Sequence, residues 1–230
     1  MFTKNKQRCL TPLLLIIIFF ISLSTYAKHS TNYQIELIIF KHNNTAADIY
    51  KENWPNAKLA IPNNNIKLST DNQFDTINSS NQNSPTYPVL SKDQLRFTNL
   101  YNKIRYSKRY TAITHIGWIQ PKKEITKPIY FTAGQTYYQN NTNLQELSGV
   151  IKFSVKKYVH TKMDLLLNLP VKPSNIAGKQ FELVQNLNND SSNDVFLQGF
   201  LLSEDRRLKN NELNYFDHPA FSAVLVVSEV

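Results

Sequence analysis

From Ile151 to Leu169 the chain alternates. Every odd position is apolar except Lys157, with Thr161 the mildest, and most even positions are polar. A period of two places successive side chains on opposite faces of a strand, so this stretch belongs in a sheet and not in a helix. It is several times the usual strand length of about 5–6 residues. Two forms fit it: one long, strongly curved strand, or two strands broken near Lys156-Lys157, with Pro170 and Pro173 ending the run. The even face collects Lys152, Lys156, Tyr158, His160 and Lys162. Same-face neighbours on a strand stand about 6.5–7 Å apart, so these residues form a ladder of cations around one aromatic ring.

The remaining elements follow from the same reading. Tyr33 to Phe40 alternates at Tyr33, Ile35, Leu37 and Ile39, a largely buried strand. Asp48 to Trp54 fits a short helix closed by Pro55, and Ser91 to Tyr106 a longer one. Ser91 and Gln94 stand in capping-box positions, and Phe97, Leu100, Tyr101 and Ile104 make one apolar stripe. Lys103, Arg105, Lys108 and Arg109 gather at its C-terminal end, where cations suit the helix dipole. Strands are expected at Tyr110 to Ile119, at Ile129 to Thr132 before a Gly134 turn, and at Phe181 to Leu187. Further strands are expected at Phe196 to Leu202 and Leu208 to Phe216, with Ser203 to Arg207 bending between or along them, and at Phe221 to Val227. Pro62 to Pro88 is rich in Asn, Ser, Gln and Thr and reads as a long, mobile, exposed loop; Leu187 to Asp194 reads as a second polar loop. Many strands and one main helix predict an α+β fold: an antiparallel or mixed sheet with the helix of residues 91–106 on one face.

The first 27 residues have a different character. Lys4, Lys6 and Arg8 precede an unbroken apolar run from Leu13 to Ile21, and Thr25 and Ala27 supply the small residues of a cleavage site. This is the pattern of a secretory signal peptide, cleaved after Ala27 to leave a single domain at 28–230. The apolar run is shorter than the roughly 20 residues of a membrane span. Cys9, the only cysteine, lies before that run, so the secreted chain has neither a disulfide nor a lipid anchor of the lipoprotein type. Of a formal charge of +9, three units belong to the leader. The remaining excess suits an anionic partner outside the cytoplasm. No groove-reading motif accompanies it, so nucleic acid is not expected.

Catalytic signatures are absent: no nucleophile elbow, no zincin helix, no phosphate loop, no dinucleotide fingerprint. His115, His160 and His218 with Asp164 and Asp217 match no metal-ligand spacing, and neither metal nor cofactor is expected. Tyr215-Phe-Asp-His-Pro219 reads as a fixed corner before the last strand, with Arg206 and Arg207 just upstream. Arg206 and Arg207 could pair with Asp217 or face an anionic ligand.

Several strings together resemble the CsiV-type peptidoglycan-binding family, periplasmic proteins of Gram-negative bacteria. They are Tyr33 to Phe40; Glu52-Asn-Trp-Pro55; His115-Ile-Gly-Trp-Ile-Gln-Pro121, which contains Trp118; and Leu147-Ser-Gly-Val-Ile151. Lys157-Tyr-Val-His160, Asp164-Leu165, Asp205-Arg-Arg-Leu208, Glu212-Leu213 and Tyr215 to Pro219 complete the set. Lys157 and Asn214 depart from the Arg and His that the family favours, and residues 62–88 have no family counterpart. The resemblance implies a non-catalytic protein that binds peptidoglycan and supports wall synthesis and cell shape. It would do so through a lipoprotein activator of a class A penicillin-binding protein. The resemblance assigns no binding residues. The strand-face argument does: Lys152, Lys156, Tyr158, His160 and Lys162, joined by Arg206 and Arg207. Two other classes compete. A protein-only adaptor would expose an apolar patch, and a secreted hydrolase would gather His160, Asp164, Asp217 and His218 in one pocket.

Overall fold

The computed structural model describes residues 32–43, 55, 57–68, 87, 89–122, 126–139, 142–155, 157–171, 183–186 and 195–230. They belong to one compact unit, Thr31–Val230. Among the described residues ten strands run in chain order: β1 Asn32–His42, β2 Ile66–Lys67, β3 Tyr110–Pro121, β4 Ile129–Gln139, β5 Thr142–Val155, β6 Val159–Val171, β7 Leu183–Asn186, β8 Val195–Arg207, β9 Asn214–His218 and β10 Phe221–Glu229. Among the same residues one α-helix, α1, spans Thr98–Arg105. The expected helix at Asp48 to Trp54 and the polar loop at Leu187 to Asp194 lie outside the described residues.

Two sheets result. The smaller has the order β3-β1-β10-β9 and is antiparallel throughout. The larger has the order β2-β4-β5-β6-β8-β7, and β7 also pairs with β4 at Tyr137 and Tyr138, so the sheet curls into a ring. The sheets pack face to face. Odd residues of β1 (Ile35, Leu37, Ile39) and of β10 (Ala223, Leu225, Val227) meet Ile151, Phe153, Met163, Leu165 and Leu167 from the larger sheet. Trp118, Phe200, Phe216 and Phe221 fill the space between them. Burying a large side chain of this kind contributes about 1.5–3 kcal/mol. At one end Glu146, buried on β5, accepts Lys41 Nζ of β1 at 2.5 Å and the Gln135 amide at 2.9 Å, which ties the two sheets together. On the far side of the smaller sheet α1 packs Phe97, Leu100, Tyr101 and Ile104 against Ile38, Phe40 and Val224. The strand β1 is therefore buried on both faces. The α+β class stands, as a helix on a two-sheet sandwich.

The period-two run is two strands. β5 ends at Val155 and β6 begins at Val159, and the two residues stand opposite each other as the end of a hairpin. β6 does not stop at Pro170, which lies opposite Leu197 of β8. The expected long helix is interrupted. A 3-10 turn at Lys92–Gln94 keeps the capping box, with the Ser91 amide donating to Gln94 Oε1 at 2.9 Å, but Leu95 is extended and α1 starts only at Thr98. Leu95 is drawn out of the helix because its side chain packs onto Gly117 of β3. A Cβ at Gly117 would lie 2.6 Å from Leu95 Cδ2.

Three further expectations change. Ile66 and Lys67 pair in parallel with β4 at Ile129 and Tyr130, and Ile66 is buried, so the segment from Pro62 is not all exposed loop. Gly134, with φ of 81°, does not end a strand. It sits in a bulge that β4 passes through. Ser203 to Arg207 does not bend; it continues β8 in register with β6, and the chain turns at residues 208–213 instead. Strand pairing with β6 outweighs the polar composition there.

Candidate functional site

The hairpin register decides what the outer face of the larger sheet presents. Lys152 of β5 stands directly opposite Lys162 of β6, and His160 stands opposite Arg207 of β8. Like charges directly across a ladder are destabilising. The Lys152–Lys162 pair therefore costs stability in the free protein, and an anionic ligand would relieve the repulsion. Lys152, His160, Lys162 and Arg207 are all exposed. No carboxylate among the described residues forms an ion pair with Lys152, Lys162 or Arg207. Asp205 lies opposite Lys162 and tempers the charge, while Asp164 accepts the Ser203 hydroxyl at 2.5 Å.

Tyr158, 39% exposed in the hairpin turn, carries Arg207 on its ring, with the guanidinium carbon 3.0 Å from the centroid. Lys157 Nζ lies 5.4 Å from the same ring. The stack holds the Arg207 fork in place. It also occupies a ring face, so Tyr158 serves first as a platform for Arg207 and not as an open plate for sugar. Lys157, absent from the sequence-based site because its odd parity reads as inward, enters through this turn. Lys156 lies outside the described residues.

Arg206 departs from the expected site. It pairs with Thr161, whose side chain is in the core, so it projects from the opposite face to Arg207. There it stacks over Phe216 at 3.8 Å and donates to the Tyr215 carbonyl. Neighbouring strand residues point to opposite faces, and only the register could show which arginine faced out.

The Tyr215 to Pro219 corner is built as expected, with a two-residue loop of Pro219 and Ala220 between β9 and β10. Asp217 and His218 point to opposite sides. Asp217 accepts Ser222 Oγ at 2.6 Å and the Tyr215 hydroxyl at 3.0 Å. His218 is buried beside Phe200 and Phe221, and its Nδ1 accepts the Ala220 amide at 3.1 Å. Burial pushes its pKa down, with His42 adding to the effect and Asp217 opposing it. Trp118 is fully buried and donates to Gln120 Oε1 at 3.0 Å. His160 and Asp164 face outward from β6, away from His218 in the core. The four residues of the hydrolase reading therefore do not gather in one pocket. Among the described residues there is no group of three His, Cys, Asp or Glu suited to a metal ion. No helix among them is long and apolar enough to cross a membrane.

A second polar centre escaped the sequence reading. Glu36, in the middle of β1 and 3% exposed, accepts the amides of Arg96 and Phe97 at 2.9–3.2 Å. It also accepts Gln34 Nε2 at 3.0 Å and meets His115 Nε2 at 3.3 Å. Tyr101 of α1 lies on the His115 ring, with centroids 5.1 Å apart. Burial alone would raise the Glu36 pKa, but the bonds from His115, the two amides and Gln34 outweigh it and hold the carboxyl below its ordinary value. This carboxylate caps α1 from 60 residues away. The only sequence signal for it is a charged residue inside an apolar strand.

A sandwich with one face covered by α1 and another that, among the described residues, exposes cations without carboxylate partners has the make-up of a protein that binds an anionic polymer. The chain belongs to the family described as peptidoglycan-binding protein, CsiV, whose model matches residues 10–230. Peptidoglycan binding, and a place in the periplasm or cell wall, go with that membership. No curated protein and no solved structure shows a match to the chain.

Proposed function

We propose that the protein is non-catalytic and binds peptidoglycan through the outer face of β5, β6 and β8. Lys152, Lys162 and Arg207 meet the carboxylates of stem peptides, and His160 borders them. Tyr158 steadies Arg207 and offers its remaining edge to sugar. The observation that carries this reading is the facing of like charges, Lys152 against Lys162, on a face that also exposes Arg207. Exposed ion pairs contribute about 0–1 kcal/mol each, so binding is multivalent and salt-sensitive. The leader delivers the chain to the periplasm and is cleaved after Ala27. There the wall-bound protein supports synthesis, acting through the lipoprotein activator of a class A penicillin-binding protein that the family resemblance implies.

Co-sedimentation with intact sacculi, at low and high salt, tests the site. Pelleting is expected to weaken with salt and to fall when Lys152, Lys162 and Arg207 are all replaced by Ala. Unchanged pelleting of the triple variant keeps the function and discards this face. A folded protein that never pellets removes direct glycan binding and favours a protein-only adaptor.

A further inference from the structure

The C-terminal end of α1 carries a second basic surface, which the peptidoglycan reading does not use. Lys103, Arg105, Lys108 and Arg109 are all exposed there. None forms an ion pair among the described residues. Tyr106 stands among them, 77% exposed, with the Arg105 guanidinium 5.8 Å from its ring. The helix dipole accounts for Lys103 and Arg105, which lie in the last turn. It does not account for Lys108 and Arg109, which lie beyond the helix, where the dipole's influence has faded.

The backbone that presents these cations is fixed. Asn43 at the end of β1 donates its amide to the Arg109 carbonyl at 2.8 Å and its side chain to the Lys108 carbonyl at 3.1 Å, and accepts Thr111 Oγ1 at 2.7 Å. Tyr110 is wedged against Phe40 and His42, with ring centroids 4.9 and 5.6 Å away. Among the described residues, the carboxylate on this side is Asp217, which is engaged by Ser222 and Tyr215 and meets His42 at 3.9 Å.

This patch and the Lys152–Lys162 face lie on opposite sides of the molecule. α1 covers the outer face of the smaller sheet, and the lysine pair stands on the outer face of the larger one. They also lie at opposite ends. The patch adjoins His42, where β1 finishes, whereas Arg207 runs into a turn that bonds Val227 beside the start of β1. One ligand surface cannot cover both.

From this arrangement we infer that the α1 end docks on the anionic headgroups of a phospholipid bilayer. Lys103, Arg105, Lys108 and Arg109 supply charge, and Tyr106 rests at headgroup level. A shaped protein partner would require buried apolar anchors; among the described residues the exposed large side chains on this side are Tyr106 and Tyr215, and the Tyr215 hydroxyl is already bonded to Asp217 and Ser222. Clustered Lys and Arg with an interfacial Tyr is instead the composition that an anionic leaflet attracts. The protein then holds glycan on one side and membrane on the other.

Vesicle flotation tests this, using phosphatidylcholine alone and phosphatidylcholine mixed with phosphatidylglycerol. Parent and variants carry the same N-terminus, so the difference between them reads the patch alone. The parent is expected to float with the mixed vesicles only, and less so in high salt. Changing Lys103, Arg105, Lys108 and Arg109 together to Gln should lower that binding by about tenfold or more, with sacculus pelleting retained. Tyr106→Ser should lower it several-fold. If the quadruple variant is unfolded, Lys108→Gln with Arg109→Gln gives the same reading from two residues outside the helix. Three results overturn the inference: no binding to mixed vesicles, binding unchanged in the variants, or loss of sacculus pelleting in place of vesicle binding.

Discussion

The two outer faces of the sandwich handle charge in opposite ways. Under α1, Glu36 and His115 are buried and every bond of the carboxylate is made inside the protein. On the larger sheet, Lys152, Lys162 and Arg207 are exposed and lack carboxylate partners among the described residues. A buried, satisfied charge fixes structure. An exposed, mutually repelling set leaves its attraction for something else. Substitutions under the helix should therefore affect stability and spare binding, and substitutions on the open face should do the reverse.

The sharpest test is Glu36→Ala. It leaves two amides and His115 without their acceptor, and unfolding in urea should show a loss on the order of 3–5 kcal/mol. Equal stability of the variant would break the comparison. Gly117→Val comes next, because the new side chain collides with Leu95 where the chain enters α1. A loss of roughly 1–3 kcal/mol is expected, with sacculus pelleting unchanged.

Acid should act on the buried groups. Glu36 and His218 both have pKa values lowered by the fold. The unfolded chain then takes up protons more readily, so their contribution is complete above the unfolded values and is lost as pH falls through the folded ones. Stability should decline in two steps, first below about pH 6.5 for His218 and then below about 4.5 for Glu36. Chemical unfolding at successive pH values checks this, and His218→Phe should remove the first step. The smallest stability effect belongs to Arg207→Ala, within about 0.5 kcal/mol. Its sacculus affinity should still drop several-fold, and Tyr158→Ala should reproduce part of that drop by releasing the guanidinium.

How far the sequence could be read follows the same division. Period two showed strands and the cationic face from Ile151 to Leu169, because both are local patterns. It left open whether that run was one strand or two, for a geometric reason. The turn joins Val155 to Val159 as directly opposed residues. Opposed residues share a face, and both are odd, so the alternation passes through the hairpin without a change of phase. Arg206 and Arg207 could not be sorted without the β6 to β8 register. The interruption of the helix was invisible for another reason: the contacts that cause it, Gly117 under Leu95 and Glu36 at the Arg96 and Phe97 amides, lie on distant strands. Local propensity favours a continuous helix from Ser91, and these two contacts move its start to Thr98.

The ring in the larger sheet bears on how such a protein behaves at high concentration. β4 has β5 along one side, while its other side is divided between β2 at Ile129 and Tyr130 and β7 at Tyr137 and Tyr138. The stretch between them holds the Gly134 bulge. Little straight, unbonded backbone remains there for a second molecule to extend as a strand, which is the route by which exposed sheet edges seed aggregation. A cell envelope is crowded with extended polypeptide, and this closure guards the larger sheet against adopting one as a further strand along β4.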